Sequence, residues 1–211
     1  MMLLWCGQTV RIREVLLRDK PDALRAISAK ATVPVMQLSD GTVLTESVDI
    51  MHWALAQSNR CDAMFCDDAQ GLDLIESNDH DFKSWLDRYK YFDRHPEHSQ
   101  IYYRDQCAVF LQRLEGRLAD SQWLLRDQPT FADFAIMPFI RQFAAVERSW
   151  FEQSEFRHLR GWLAHWLQQP VFLKVMDKYP VWQPGAAEPL LAVDHYEDGA
   201  ASSVTSARLI T

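Results

Sequence analysis

Two residue pairs near the start of the chain have types and spacing that could hold a ligand. In KATVPVMQLSDGTVLTESVDIMHWAL, residues 30 to 55, Val33-Pro34 stands before an apolar strand-like run and Glu46-Ser47 stands where a helical pattern opens. The free N–H groups and hydroxyl of a helix start suit an anion, and an acidic side chain beside them suits a cation. The plainer readings are an ordinary turn at Val33-Pro34 and a simple cap at Ser47. Other candidates carry less. His95-Pro96-Glu97-His98 has a metal-like spacing, but Pro96 breaks the helix that would align the two imidazoles, so a solvated loop is expected. Asp79-His80-Asp81 reads as capping at a helix start, and His158 and His165, two helical turns apart, read as packing residues. Trp85, Tyr89, Tyr91 and Phe92 read as core before they read as a pocket, with Arg88 and Tyr91 the better placed to face a cleft.

The elements that would position these residues follow from local patterns. Met1 to Cys6 look like the end of a helix closed by Gly7. Val10 and Ile12 alternate with Arg11 and Arg13, a strand pattern. A short helix follows, with Pro21 suited to its first position and Leu24 and Ile27 one turn apart. VPVMQL and TVLT form an antiparallel hairpin through Ser39-Asp40-Gly41. A helix then starts at Ser47, a good N-cap, with Asp49 in its first turn and Val48, Met51 and Leu55 on one face. Residues 58–71 read as a linker, and the rest as helices. Phe82, Trp85, Leu86, Tyr89 and Phe92 form one apolar stripe, and Val109, Leu111, Leu114 and Leu118 another. TFADFAIMPFIRQFAAVERSW is the most apolar segment and hence the expected central helix. Thr130 and Asp133 form its capping box, and Pro138 is expected to kink it. FRHLRGWLAHWL and VFLKVMDKY complete the bundle, and the tail after Pro184 reads as a weakly held extension.

Bulk properties exclude whole classes. Net charge is −7 with no basic stripe, which argues against a nucleic-acid surface. No apolar run approaches the ~20 residues that span a bilayer, and the start lacks the pattern of a secretory signal. Cys6, Cys61, Cys66 and Cys107 show no metal-ligand spacing, so no metal site is expected. A reduced cytoplasmic protein is the simplest account, with a Cys61–Cys66 disulfide the lesser alternative.

Val33-Pro34 before an Asp-Gly hairpin, Glu46-Ser47 at a helix start and the capped helix at Thr130-Phe131-Ala132-Asp133 come in an order and spacing that resemble the glutathione S-transferase family, of bacterial cytosolic type. The resemblance covers roughly residues 1–184. It implies an α+β fold: a truncated thioredoxin-like N-terminal domain over residues 1–57, an all-α C-terminal helical bundle over 72–183, and a tail, 184–211. It also implies that Pro34 is a cis-proline, whose turn presents the Val33 backbone N–H and C=O to an extended peptide-like ligand. Glutathione is such a ligand. Its γ-glutamyl carboxylate would meet Ser47 and the helix start, and its ammonium would meet Glu46. The cofactor-type site implied is therefore Val33, Pro34, Glu46 and Ser47, with glutathione as co-substrate and a homodimer as the usual assembly. The reaction implied is attack of the glutathione thiolate on an electrophilic or disulfide substrate.

The sequence departs from the family at its start. The family's first strand and the start of its first helix, which carries the thiol-activating residue, have no counterpart before MMLLWCGQ. No catalytic residue can be carried over, and Cys6 belongs to the far end of that helix. A non-catalytic binding or interaction module of the same fold is the alternative function, and an unrelated helical protein is a third. In the family's sheet the first strand lies between the second and third. The tail's SSVTSARLIT favours strand, so it is expected to fill that slot, from its own chain or a partner's, or else the half-domain rearranges.

Overall fold

The computed structural model describes residues 1–58, 69–192 and 204–211. It divides into two compact units, one made of Met1–Cys61 with Pro170–Thr211 and the other of Asp62–Gln169.

The first unit is built around a five-stranded mixed sheet. Its first helix, α1 (Met2–Trp5), is short and closes at Gly7, which takes φ +70°. The Gly7 N–H donates to Leu4 O (2.9 Å) and the Gln8 N–H to Leu3 O (2.8 Å), the paired bonds of a Schellman cap. Strand β1 (Thr9–Arg13) buries Val10 and Ile12 and exposes Arg11, as its alternation predicts. Helix α2 (Asp22–Ile27) follows, with Pro21 one position earlier than expected, at the N-cap. Strands β2 (Val35–Gln37) and β3 (Val43–Leu44) pair antiparallel. Their turn is closed by the Thr42 N–H on Asp40 Oδ1 (2.9 Å), with Gly41 at φ +90°. Helix α3 (Ser47–Ala56) buries Ile50, Ala54 and Leu55.

The remaining pieces of the sheet come from the other end of the sequence. Helix α10 (Pro170–Val175) belongs to this unit and not to the bundle that VFLKVMDKY was expected to complete. Strand β4 (Leu190–Leu191) lies antiparallel on β1. Strand β5 (Val204–Ile210) lies in the middle, giving the order β3-β2-β5-β1-β4. It runs parallel to β1, with Ile12 opposite Leu209, and antiparallel to β2, with Val35 opposite Ile210. The vacant strand position is therefore filled by the chain's own tail. Two open ladders, on β1 and β2, would otherwise leave rows of backbone groups unpaired, and β5 satisfies both. A central strand is covered on both faces. Ala207 and Leu209 are buried on one, and Ile210 joins Val15, Leu24 and Val35 in a core cluster on the other.

The second unit is helical: α4 (Ala69–Ser77), a π-helical turn (Asn78–Phe82), α5 (Lys83–Lys90), α6 (Gln100–Asp120), α7 (Phe131–Val146), α8 (Arg148–Gln153) and α9 (Arg157–Leu167). Helix α4 opens three residues before the expected end of the linker; residues 59–68 of that linker, with Cys61 and Cys66, lie outside the described residues. Asp79-His80-Asp81 lies in the π-helical turn and not at a helix start. Phe82, Leu86 and Tyr89 are buried, but Phe92 is exposed because the helix ends at Lys90 and a 3₁₀ turn swings it outward. Val109 is exposed on α6, where the buried stripe runs instead through Tyr103, Cys107, Phe110, Leu111, Leu114 and Leu118. Helix α7 is the buried centre of the unit and continues through Pro138. Its Asp133 reaches back to Thr130 N–H (2.8 Å) and to the Thr130 hydroxyl (2.6 Å). No helix among the described residues is long and apolar enough to cross a membrane.

Candidate functional site

The Val33–Pro34 bond is cis, as the resemblance implied. Val33 is half-buried, and its side chain packs on the Val15–Leu24–Val35–Ile210 cluster. That packing fixes the loop before β2 from beneath. Among the described residues no hydrogen bond occupies the Val33 N–H or C=O, so both stay available to an extended ligand. Ala31, just upstream, takes φ +46°, an uncommon conformation for a residue with a Cβ, and its N–H donates to Ser28 O (3.0 Å).

The start of α3 differs in detail from expectation. Glu46, with extended backbone, occupies the N-cap position, and Ser47 is the first helical residue. The chain enters the helix one residue earlier than a Ser cap would allow. No side chain caps the helix, and the exposed Ser47 hydroxyl has no partner among the described residues. The Glu46 carboxylate pairs with Lys30 (Nζ to Oε1, 2.8 Å). This ion pair is exposed on both sides, so its own contribution to stability is small. Its value is geometric, because Lys30 sits in the loop that leads to Val33-Pro34. The structure thus brings together the two segments that sequence alone could only place in series, and it adds Lys30, which sequence reasoning missed. Nothing marks Lys30 as a partner of Glu46 before the fold is known.

Strand β5 ends beside this site. Val35 stands opposite Ile210, and the antiparallel register carries Thr211 to the level of Pro34. The Thr211 N–H donates to Arg13 O (3.0 Å) and its C=O accepts from the Val15 N–H (2.8 Å). Cys6 is buried, as its position at the end of α1 requires.

The remaining candidates fall elsewhere, in the helical unit. His98 stacks on Tyr102 (4.0 Å between rings), and the Tyr103 hydroxyl donates to His95 O (2.9 Å), which ties the HPEH segment down as a loop. His158 and His165 are exposed; His165 meets Trp123 edge-on at 5.1 Å. Among the described residues no group of three His, Cys, Asp or Glu side chains is placed to hold a metal. Tyr89 is fully buried, and its hydroxyl donates to Glu147 Oε2 (2.8 Å), so it is core. Arg88 lies over Trp85, and Tyr91 sits between Lys90 and Arg94.

Comparison with known proteins decides the family. The model of the N-terminal domain of glutathione S-transferases matches residues 1–57, and that of the C-terminal domain matches residues 80–165. The chain belongs to the glutathione S-transferase family. Solved structures share the glutathione transferase fold at low identity. The transferase URE2P6 of Phanerochaete chrysosporium, in complex with oxidized glutathione, is 20% identical with a TM-score of 0.63, over 74% of this chain and 76% of its own. A family member from Pseudomonas fluorescens, with two glutathione bound, is 15% identical with a TM-score of 0.60, over 71% and 72%. Gtt2 of Saccharomyces cerevisiae is 17% identical with a TM-score of 0.57, over 74% and 81%. No curated protein matches the chain. In this family member the strand between β2 and β1 is β5, which comes from the C-terminal segment.

Proposed function

We propose that the chain binds glutathione through the Val33 backbone, with Pro34 shaping the turn, and through Glu46, Ser47 and the start of α3. As a transferase it conjugates or exchanges the glutathione thiol with an electrophilic or disulfide substrate. The observation that carries the reading is the Lys30–Glu46 pair, which joins the loop bearing Val33 to the helix start bearing Ser47. The free Val33 groups suit a peptide-like backbone. The Ser47 hydroxyl and the first N–H groups of α3 suit the γ-glutamyl carboxylate. Glu46 accepts the ammonium by sharing its carboxylate with Lys30 or exchanging partners. In keeping with the family, we place the protein in the cytoplasm as a homodimer. Calorimetric titration with glutathione tests the site: saturable binding that weakens in Glu46→Ala and Ser47→Ala supports it, and no heat at millimolar glutathione refutes it.

A second reading is a glutathione-binding module without turnover. Turnover of a generic aryl halide with glutathione separates the two readings.

A further inference from the structure

The turn between β2 and β3 carries a residue pair that the glutathione site does not use, Asp40-Gly41. The pair has a chemistry of its own. The amide nitrogen of the second residue can attack the side-chain carbonyl carbon of the first, expelling water and closing a five-membered succinimide. Water then opens the ring at either carbonyl. Opening at the carbonyl that belonged to the Asp40 backbone leaves isoaspartate, with one extra carbon in the main chain. The water lost is the water regained, so no oxidant, reductant or other co-reactant is needed. Glycine in the second place has no side chain to shield its nitrogen. Asp40 and Gly41 are exposed, and no atom lies within 4 Å of the place where a Cβ on Gly41 would stand.

The folded hairpin engages both reacting groups elsewhere. The Gly41 N–H donates to Leu38 O (3.1 Å), and Asp40 Oδ1 accepts from the Thr42 N–H (2.9 Å). The Leu38 N–H closes the loop on Thr42 O (2.8 Å). Bonds from Thr42 also hold the Asp40 carboxyl below its ordinary value of 3.8, so it stays a carboxylate, a poorer electrophile than the acid. These restraints last only as long as the pairing beneath them, which is slight. Strand β3 lies at the sheet edge and is held by two residue pairs, Met36 with Leu44 and Gln37 with Val43. An Asp-Gly turn alone is ordinary hairpin chemistry. Here a single residue, Thr45, separates β3 from Glu46, which bonds Lys30 and stands at the N-cap of α3.

We propose that Asp40-Gly41 is a latent modification site, shut while β2 and β3 are paired and converted to isoaspartate when they part, and that conversion unseats β3 and the start of α3. The extra carbon shifts the turn out of register, and a strand pinned by two pairs has no further ladder to hold it. The disturbance then reaches Glu46 and Ser47, so the age of the chain is written into the glutathione site. The effect on glutathione rests on the function proposed above; the chemistry at Asp40 does not.

The test incubates the full chain beside a peptide of residues 35–45 at neutral pH. Isoaspartate at position 40 is followed by mass spectrometry after digestion with a protease that cuts before aspartate and not before isoaspartate. The folded chain should convert at least about tenfold more slowly than the peptide, a factor set by hairpin opening. Thr42→Pro removes the N–H that holds the carboxylate and should close most of that gap, as should urea below the unfolding transition. Equal rates in parent chain and peptide would overturn the latency. A rate unmoved by both Thr42→Pro and urea would overturn the assigned restraint, and no conversion under any of these conditions would overturn the site. The converted chain, separated by chromatography, should lose amide protection in β3 and α3 in hydrogen exchange; full protection would overturn the coupling. Asp40→Glu cannot close the five-membered ring and should keep that protection through the same incubation; equal loss would place the damage elsewhere. Glutathione titration is read separately. Weaker binding to the converted chain is expected, and unchanged affinity would overturn the reach to Glu46 and Ser47. A fresh chain that binds no glutathione would sink the proposed function alone, with the exchange result still deciding the coupling.

Discussion

Asp133 is fully buried at the start of α7, and its carboxylate accepts from Thr130 N–H, the Thr130 hydroxyl, Leu124 N–H (3.0 Å) and Trp162 Nε1 (2.8 Å). One side chain thereby ties together the helix start, the loop before it and α9. Asp133→Asn puts an NH₂ group where one carboxylate oxygen now accepts, so at least one buried donor loses its partner. The expected cost is at least about 1–3 kcal/mol, read as a lowered urea midpoint at unchanged slope. Ser47 behaves differently. Its hydroxyl caps nothing, so Ser47→Ala should change stability by no more than about 0.5 kcal/mol. The same substitution should weaken glutathione binding by about 1.5–3 kcal/mol through the lost bond to a charged group. A Ser47→Ala protein that melts several degrees lower with full glutathione affinity would reverse the assignment. The pair at Thr130 and Asp133 was legible because a capping box is defined by a fixed spacing of two residue types. The pair at Lys30 and Glu46 was not, because sixteen residues and a hairpin separate them.

At the scale of elements, the segment leading into β4 is fastened to the sheet by one acid. Glu188 meets Arg13 (2.6 Å) and Arg208 (2.9 Å), so a single carboxylate joins this segment to β1 and β5. Arg13 also lies over the Trp182 ring, 3.9 Å from its centroid. Burial raises the Glu188 carboxyl, but the hydrogen bonds and charges of Arg208 and Arg13 outweigh it and hold the group below its ordinary value of 4.5. A lowered folded pKa means that the stabilisation is complete above the unfolded value and fades as pH falls through the folded one. Glu188→Gln should therefore cost about 1.5–3 kcal/mol at neutral pH, and the gap between variant and parent should close as pH drops below 4.5. Urea midpoints measured from pH 7 to pH 3 would show it; a gap that stays constant would assign the cost to packing. Strand β5 is the larger dependence. Deleting residues 204–211 should strip the amides of β1 and β2 of protection while those of α6, α7 and α9 keep theirs, which hydrogen exchange read by mass spectrometry resolves by peptide. Protection retained in β1 would show that the sheet closes without its middle strand.

The molecule as a whole has one unit continuous in sequence and one assembled from both ends. That contrast explains what could be read in advance. The hairpin, the capped start at Thr130 and the central helix α7 rest on local spacing and stand where the pattern put them, whereas α2 and α3 each start one residue away. Phase around a helix is harder: Val109 and Phe110 are adjacent apolar residues, and only packing decides that Phe110 turns inward. Membership of a unit is hardest of all, because VFLKVMDKY is amphipathic wherever it docks, and the structure groups α10 with the sheet. Strand β5 could be anticipated only by asking which backbone groups would otherwise go unpaired. The central β1–β5 pairing joins residues at nearly the full span of the chain, a long-range contact of the kind that slows folding. After dilution from urea, the fluorescence of the buried Trp162 and Trp166 should report the helical unit before amide protection appears in β1. Simultaneous recovery of both would mean that the two units form in one cooperative step.

The place of β5 also sets a timetable inside the cell. A ribosome that has finished β1 must still make everything up to Val204 before the neighbour of β1 exists. At about 5–20 residues per second, that interval is on the order of 10–40 s. Throughout it, β1 and β2 are nascent strands whose common partner has not been translated. They are open to holdase chaperones and to the matching strands of chains on adjacent ribosomes.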